Sequence, residues 1–118
     1  MRIGRNNPSP EDGNVVTLNL TPPRALQILR KIAQDSSRVF FTVHAEKQMG
    51  KRRITRIQVL RCLLHGHLVE GPARGIKGNW ELSVEVFSAG EPITVVAALD
   101  HDERGNLIIV ISTYKRHA

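Results

Sequence analysis

At 118 residues, with 41% hydrophobic and 24% charged side chains, the chain has the size and composition of one soluble domain with a modest core. Seventeen Lys and Arg against 11 Asp and Glu give a formal charge of +6, which points to a polyanionic partner, nucleic acid or an acidic protein, although an inert basic surface has the same composition. Aromatics at 4% argue against base-stacking platforms, the single Cys excludes an intrachain disulfide, and no apolar run approaches the roughly 20 residues of a bilayer crossing, so a cytoplasmic protein without membrane attachment is expected.

Residues 1–20 read as a flexible N-terminal extension. Its first 14 residues, MRIGRNNPSPEDGN, are polar and turn-rich without a signal-peptide pattern, and residues 15–20 form a short strand or extended lead-in. A single α+β domain is expected over 21–118. Thr21 and Pro22 start a helix, a capping hydroxyl followed by proline at the first helical position. Ala25, Ile28, Leu29, Ile32 and Ala33 share one face of it, and Asp35 to Ser37 end it. Val39 to Phe41 are extended. Thr42 then caps a short helix through Met49, with Gly50 as its stop. Thr55 opens another helix: Gln58 completes a capping box, Ile54 and Val59 occupy the staple positions, and Ile57, Leu60, Leu63 and Leu64 are the expected buried face. Gly66 ends this helix.

Beyond Gly66 the period changes to two. His67 to Glu70 read as a short strand and residues 71–79 as a loop. Trp80 to Phe87 alternate, with Trp80, Leu82, Val84 and Val86 inward and Glu81, Ser83 and Glu85 wet. Ser88 to Pro92 form a turn. Ile93 to Leu99 and Leu107 to Ile111 are central strands covered on both faces, joined by a polar hairpin loop, Asp100 to Asn106. The predicted fold is α+β, with N-terminal helices packed on a four-stranded, mainly antiparallel sheet in the order 1-2-3-4.

Chemistry has few places to reside. Cys62, His65 and His67 are close in sequence, but no fourth ligand accompanies them, and a buried thiol beside two helix-end histidines explains them more simply; no metal site is expected. Lys51, Arg52 and Arg53, with Arg56 beyond, are the densest positive charge. Placed before the Thr55 helix they oppose its dipole, which hints at use, since a phosphate gains there from free amides and guanidinium forks. A solvated basic loop is the plainer account. His44 falls on the first turn of its helix, where a neutral imidazole can act as general base or hold a phosphate oxygen; a hydrogen-bonded structural His fits the spacing equally well. Tyr114, Lys115 and Arg116 end the last strand. By alternation Tyr114 shares a face with Ser112, while Thr113 and Lys115 take the other.

The run HAEKQMGKRRIT (44–55), followed by QVLRCLLHG (58–66) and the closing strand IVISTYKR (109–116), resembles the domain of unknown function 4258 family over Phe41 to Arg116. The chain departs at Gln48, where the family often has Arg. That family is similar in turn to compact ribonuclease toxins of the RelE, BrnT and MqsR type. The resemblance implies a RelE-like fold, RNA as substrate, a protein antitoxin as partner, and no cofactor. It implies 2′-hydroxyl attack on the adjacent phosphate, with His44 as acid or base, Arg53 steadying the phosphate and Tyr114 orienting or protonating. The charge argument adds Lys51, Arg52, Arg56, Lys115 and Arg116 as RNA contacts. A noncatalytic module that binds nucleic acid or an acidic protein is the alternative. The two differ in whether His44, the basic run and Tyr114 converge on one cleft.

Overall fold

A computed structural model describes residues 19–115. Most of the expected N-terminal extension and Arg116 lie outside these residues. Helix α1 (Pro22–Ala33) starts as expected, with the Thr21 hydroxyl accepting from the Arg24 N–H, and buries Ala25, Ile28, Leu29, Ile32 and Ala33. A 3-10 turn (Ser36–Arg38) leads to β1 (Val39–Phe41), α2 (Val43–Arg52) and α3 (Arg56–His65). Strands β2 (His67–Arg74), β3 (Trp80–Ser88), β4 (Glu91–Asp102) and β5 (Gly105–Lys115) follow.

The sheet has five strands, not four, in the order β1-β5-β4-β3-β2. The expected sequential antiparallel meander is present as β2 to β5. The addition is β1, which pairs in parallel with β5 through Val39–Ile108 and Phe41–Val110, so the sheet is mixed. A three-residue apolar segment gives too short a pattern to announce a strand; it pairs because Val39 is buried in the core beside Ile108.

One face of the sheet carries Leu82 and Val84 of β3, Ile93, Val95, Ala97 and Leu99 of β4, and Ile108 and Val110 of β5. The buried side chains of all three helices join this cluster. On the α3 side the contributors are Val59, Cys62 and Leu63. Ile57, expected inside, is 70% exposed, and Leu60 and Leu64 are only half-buried. Residues 57–64 hold apolar side chains at six positions, so two stripes satisfy helical spacing. The staple chooses between them, because Ile54 and Val59 are both buried and fix which side faces down.

Several boundaries differ from expectation. Gly50 does not end α2; the helix runs on to Arg52, and Arg53 turns left-handed at φ 58, ψ 45. The N–H groups of Arg53 and Ile54 both return to the Met49 carbonyl, closing the helix without glycine. Strand β2 extends through residues expected to be loop, with two irregularities in its register to β3. The β4–β5 connection shrinks to Glu103 and Arg104 because Asp102 accepts from the Arg104 N–H at 2.9 Å. Arg38 braces that hairpin, donating to Asp102 at 2.6 Å and to the Gly105 carbonyl at 3.1 Å. Its guanidinium holds the Asp102 carboxyl below the usual carboxylate range. Between β3 and β4 a two-residue turn, Ala89–Gly90, has both φ values positive, the handedness that suits a hairpin. No helix among the described residues is long and apolar enough to cross a membrane.

Candidate functional site

The second face of the sheet follows from the register. Ser83 and Glu85 on β3 alternate with the core residues Leu82 and Val84. Glu85 pairs with His67 on β2 and with Thr94 on β4, and Thr94 pairs with Tyr114 on β5. Four side chains on four adjacent strands thus form a row: His67, Glu85, Thr94, Tyr114. A bulge makes this possible. Ala97 pairs with Val110 but Val96 pairs with Ser112, so Ile111 is the extra residue. Without it, Tyr114 would point into the core with Val110. The expected sharing of a face by Tyr114 and Ser112 holds, and Lys115 lies on the opposite face, bonded to Glu91 at 3.2 Å.

The row lines a cavity of about 510 Å³ with Val69 and Glu70. Glu85 is only 3% exposed. One of its carboxylate oxygens accepts from the Thr94 hydroxyl at 3.0 Å; the other lies 3.8 Å from His67 Nε2. A second cavity, of about 550 Å³, opens farther along the same face between the β2–β3 turn and Thr42, Ile109 and Ile111.

Helix α2 lies along the β5 margin. The Thr42 N–H donates to the Val110 carbonyl at 3.0 Å, and the Thr42 hydroxyl donates to the Ile111 carbonyl at 3.1 Å while accepting from Ala45. Six residues on, Gln48 Oε1 accepts from the Ser112 hydroxyl at 2.7 Å and from the Thr113 N–H at 3.0 Å. The side chain therefore takes the place that β1 leaves when it ends at Phe41, satisfying an edge amide of β5. Gln48 is the position of departure from the family pattern. An Arg, with no acceptor, cannot make this pair of bonds.

These contacts set the level of each predicted residue. Helix α2 rises about 1.5 Å per residue and β5 about 3.3 Å, both running from the Thr42–Val110 contact toward the Gln48–Thr113 contact. Continued for another turn, Lys51, Arg52 and Arg53 come level with Tyr114. His44 is one turn behind Gln48, on the same helix face and back toward Ile111. His44 and Arg53 thus stand at opposite ends of α2, roughly 13 Å apart along its axis. By height along β5 the basic end of α2 corresponds to Tyr114 and His44 to Ile111, and neither His44 nor the run 51–53 lines the Tyr114 cavity.

Contrary to expectation, the basic run does not oppose the dipole of the Thr55 helix. Lys51 and Arg52 belong to the last turn of α2, where the helix dipole favours cations. Arg56 begins α3 and stacks on the Phe41 ring at 4.2 Å. The capping box is present, with the Thr55 hydroxyl accepting from Gln58 N and the Gln58 side chain accepting from Thr55 N.

Cys62 and His67 diverge to opposite faces of the sheet. The Cys62 thiol is buried under α3 against the Val84 and Ile93 carbonyls, and burial pushes its pKa up to about 12. Among the described residues no cluster of His, Cys, Asp and Glu could hold a metal ion.

Sequence reasoning missed His67, Glu85 and Thr94 as a group. One signal was available: Thr94 interrupts the apolar run that begins at Ile93, and a hydroxyl in a central strand calls for a partner. The partner, a carboxylate on the neighbouring strand, depends on register.

Residues 41–115 match the model of a family described as Domain of unknown function (DUF4258). No curated protein and no solved structure matches the chain.

Proposed function

The chain belongs to the DUF4258 family through residues 41–115, more than half its length, and from that premise we propose that it is a metal-independent ribonuclease of the toxin type, with a RelE-like arrangement of its elements. The observation that carries the reading is a polar, cavity-bearing sheet face that holds Tyr114, with α2, which ends in Lys51 and Arg52, bonded along its β5 margin. Lys51, Arg52 and Arg53 hold the RNA backbone, and Arg53 steadies the scissile phosphate. Tyr114 presents its phenol to that phosphate, orienting it or giving a proton to the leaving oxygen. His44, at the rim of the face, contacts the RNA strand. The 2′-hydroxyl is the nucleophile, so the protein supplies positioning, charge and proton transfer. A protein antitoxin covers this face.

A noncatalytic module is the second reading, and two observations favour it: His44 does not line the Tyr114 cavity, so His44, Arg53 and Tyr114 do not converge on it, and the α2 dipole accounts for part of the basic run. Lys51 and Arg52 complement the dipole of α2, so their placement requires no catalytic use. Single-stranded RNA incubated with the purified protein and chelator separates the two. Cleavage to a 2′,3′-cyclic phosphate, reduced about 10²-fold or more in Tyr114→Phe, supports the ribonuclease. Saturable binding with intact RNA supports the module.

A further inference from the structure

Transfer of a 2′-hydroxyl to phosphorus needs a proton acceptor as well as a donor, and the row across the sheet offers one. His67 is exposed on β2, with Nε2 3.8 Å from a Glu85 carboxylate oxygen, beyond hydrogen-bond length. Glu85 is held from its other side by the Thr94 hydroxyl and is almost wholly buried, so it is a fixed point. A carboxylate at Nε2 favours the tautomer that carries its proton there and leaves the Nδ1 lone pair outward. Pairs of this kind commonly stand too far apart for a hydrogen bond in unliganded sites and close when substrate excludes water.

Tyr114 stands in the same cavity two strands beyond Glu85, roughly 10 Å from it backbone to backbone. His67 stands three strands from Tyr114, roughly 14 Å backbone to backbone, a gap that a ribose and its 3′-phosphate span when both side chains lean inward. Charge orients the nucleotide. Glu70 and Glu85 make the β2 end unfavourable for a phosphate, whereas the β5 strand adjoins α2, whose last turn carries Lys51 and Arg52.

The geometry points to His67 as the proton acceptor of the ribonuclease site, positioned by Glu85, with the ribose 2′-hydroxyl bound at the β2 end of the row and the phosphate at Tyr114. This rests on the ribonuclease reading. The 2′-oxygen bonds to phosphorus as its proton passes to His67 Nδ1. The bond from phosphorus to the 5′-oxygen breaks, and that oxygen takes a proton from the Tyr114 phenol. Water then returns the proton from the imidazole to the phenolate.

The test uses the full chain with a short single-stranded RNA and chelator, comparing wild type with His67→Ala, Glu85→Gln and, as control, His101→Ala at the far end of β4. His67→Ala is expected to lose about 10²–10⁴ in kcat with KM little changed, and to regain activity with added imidazole. Glu85→Gln is expected to lower kcat at unchanged KM and unchanged thermal midpoint, without imidazole rescue. His101→Ala behaves as wild type. If wild type cleaves and both His67→Ala and Glu85→Gln cleave at its rate, the assignment is overturned while the ribonuclease reading stands. If wild type leaves RNA intact, the ribonuclease reading fails, and the pocket is judged by NMR with the same oligonucleotide. Saturable shifts at His67, Thr94 and Tyr114 then keep the row as the ribose-phosphate binding site; unmoved resonances overturn it.

Discussion

Arg53 holds a backbone conformation that side chains with a Cβ adopt at a cost of roughly 1–2 kcal/mol. It closes α2 where glycine is the usual choice, and its charge belongs to the basic run proposed to hold phosphate. Arg53→Gly is therefore expected to stabilise the fold, by up to about 1 kcal/mol in a urea melt, while weakening RNA binding. A variant that loses stability and keeps its affinity contradicts both halves of the argument. Gly50 is the reverse case. It lies inside a helix, and a Cβ there would meet nothing within 4 Å, so Gly50→Ala is expected to stabilise by about 0.5–1 kcal/mol. At Gly66 a Cβ would fall 2.5 Å from the Cys62 carbonyl oxygen and 3.0 Å from that of Glu85, so Gly66→Ala is expected to lower the thermal midpoint. Both glycines look alike as helix stops in sequence. Only packing distinguishes them, because the first faces solvent and the second lies where α3 turns into β2, against the Glu85 carbonyl of β3.

Elements with their own local chemistry were legible. Thr21, Thr42 and Thr55 each cap the helix expected of them, and the capping box at Thr55 is complete. The alternation of β3 also reads correctly, since Trp80, Leu82, Val84 and Val86 face the helices. What was not legible depends on partners distant in sequence. The wet face predicted for β3 is buried at Ser83 and Glu85, because β2 and β4 flank it on both sides and supply the Thr94 hydroxyl. The orientation of α3 likewise depends on which of two apolar stripes the staple selects. That choice is testable by truncation. Leu63→Ala, at a fully buried position, is expected to cost about 2–5 kcal/mol, whereas Ile57→Ala is expected to stay within about 0.5 kcal/mol of wild type. Equal losses in a denaturant titration would return Ile57 to the core.

At the scale of the molecule, the helices and sheet divide the work. Helices α1 and α3 cover one face of the sheet, and α2 adds Ala45 and Met49 to that core while following the β5 margin through Gln48. A formal charge of +6 raises affinity for any polyanion, so bare binding to RNA distinguishes little. The salt dependence distinguishes more. For a single strand, the logarithm of the binding constant falls with that of salt concentration by about 0.7 for each phosphate neutralised. If Arg52 and Arg53 each hold one phosphate, the double variant Arg52→Ala with Arg53→Ala is expected to flatten that slope by about 1.4, equally for different sequences. Arg104→Ala, on the β4–β5 turn at the opposite end of the sheet, is expected to leave the slope unchanged. A slope that falls equally for both variants would mean that RNA meets the overall positive field of the protein. A fall confined to the α2 end places the strand across the face that carries Tyr114, with the carboxylate of Glu85 two strands away.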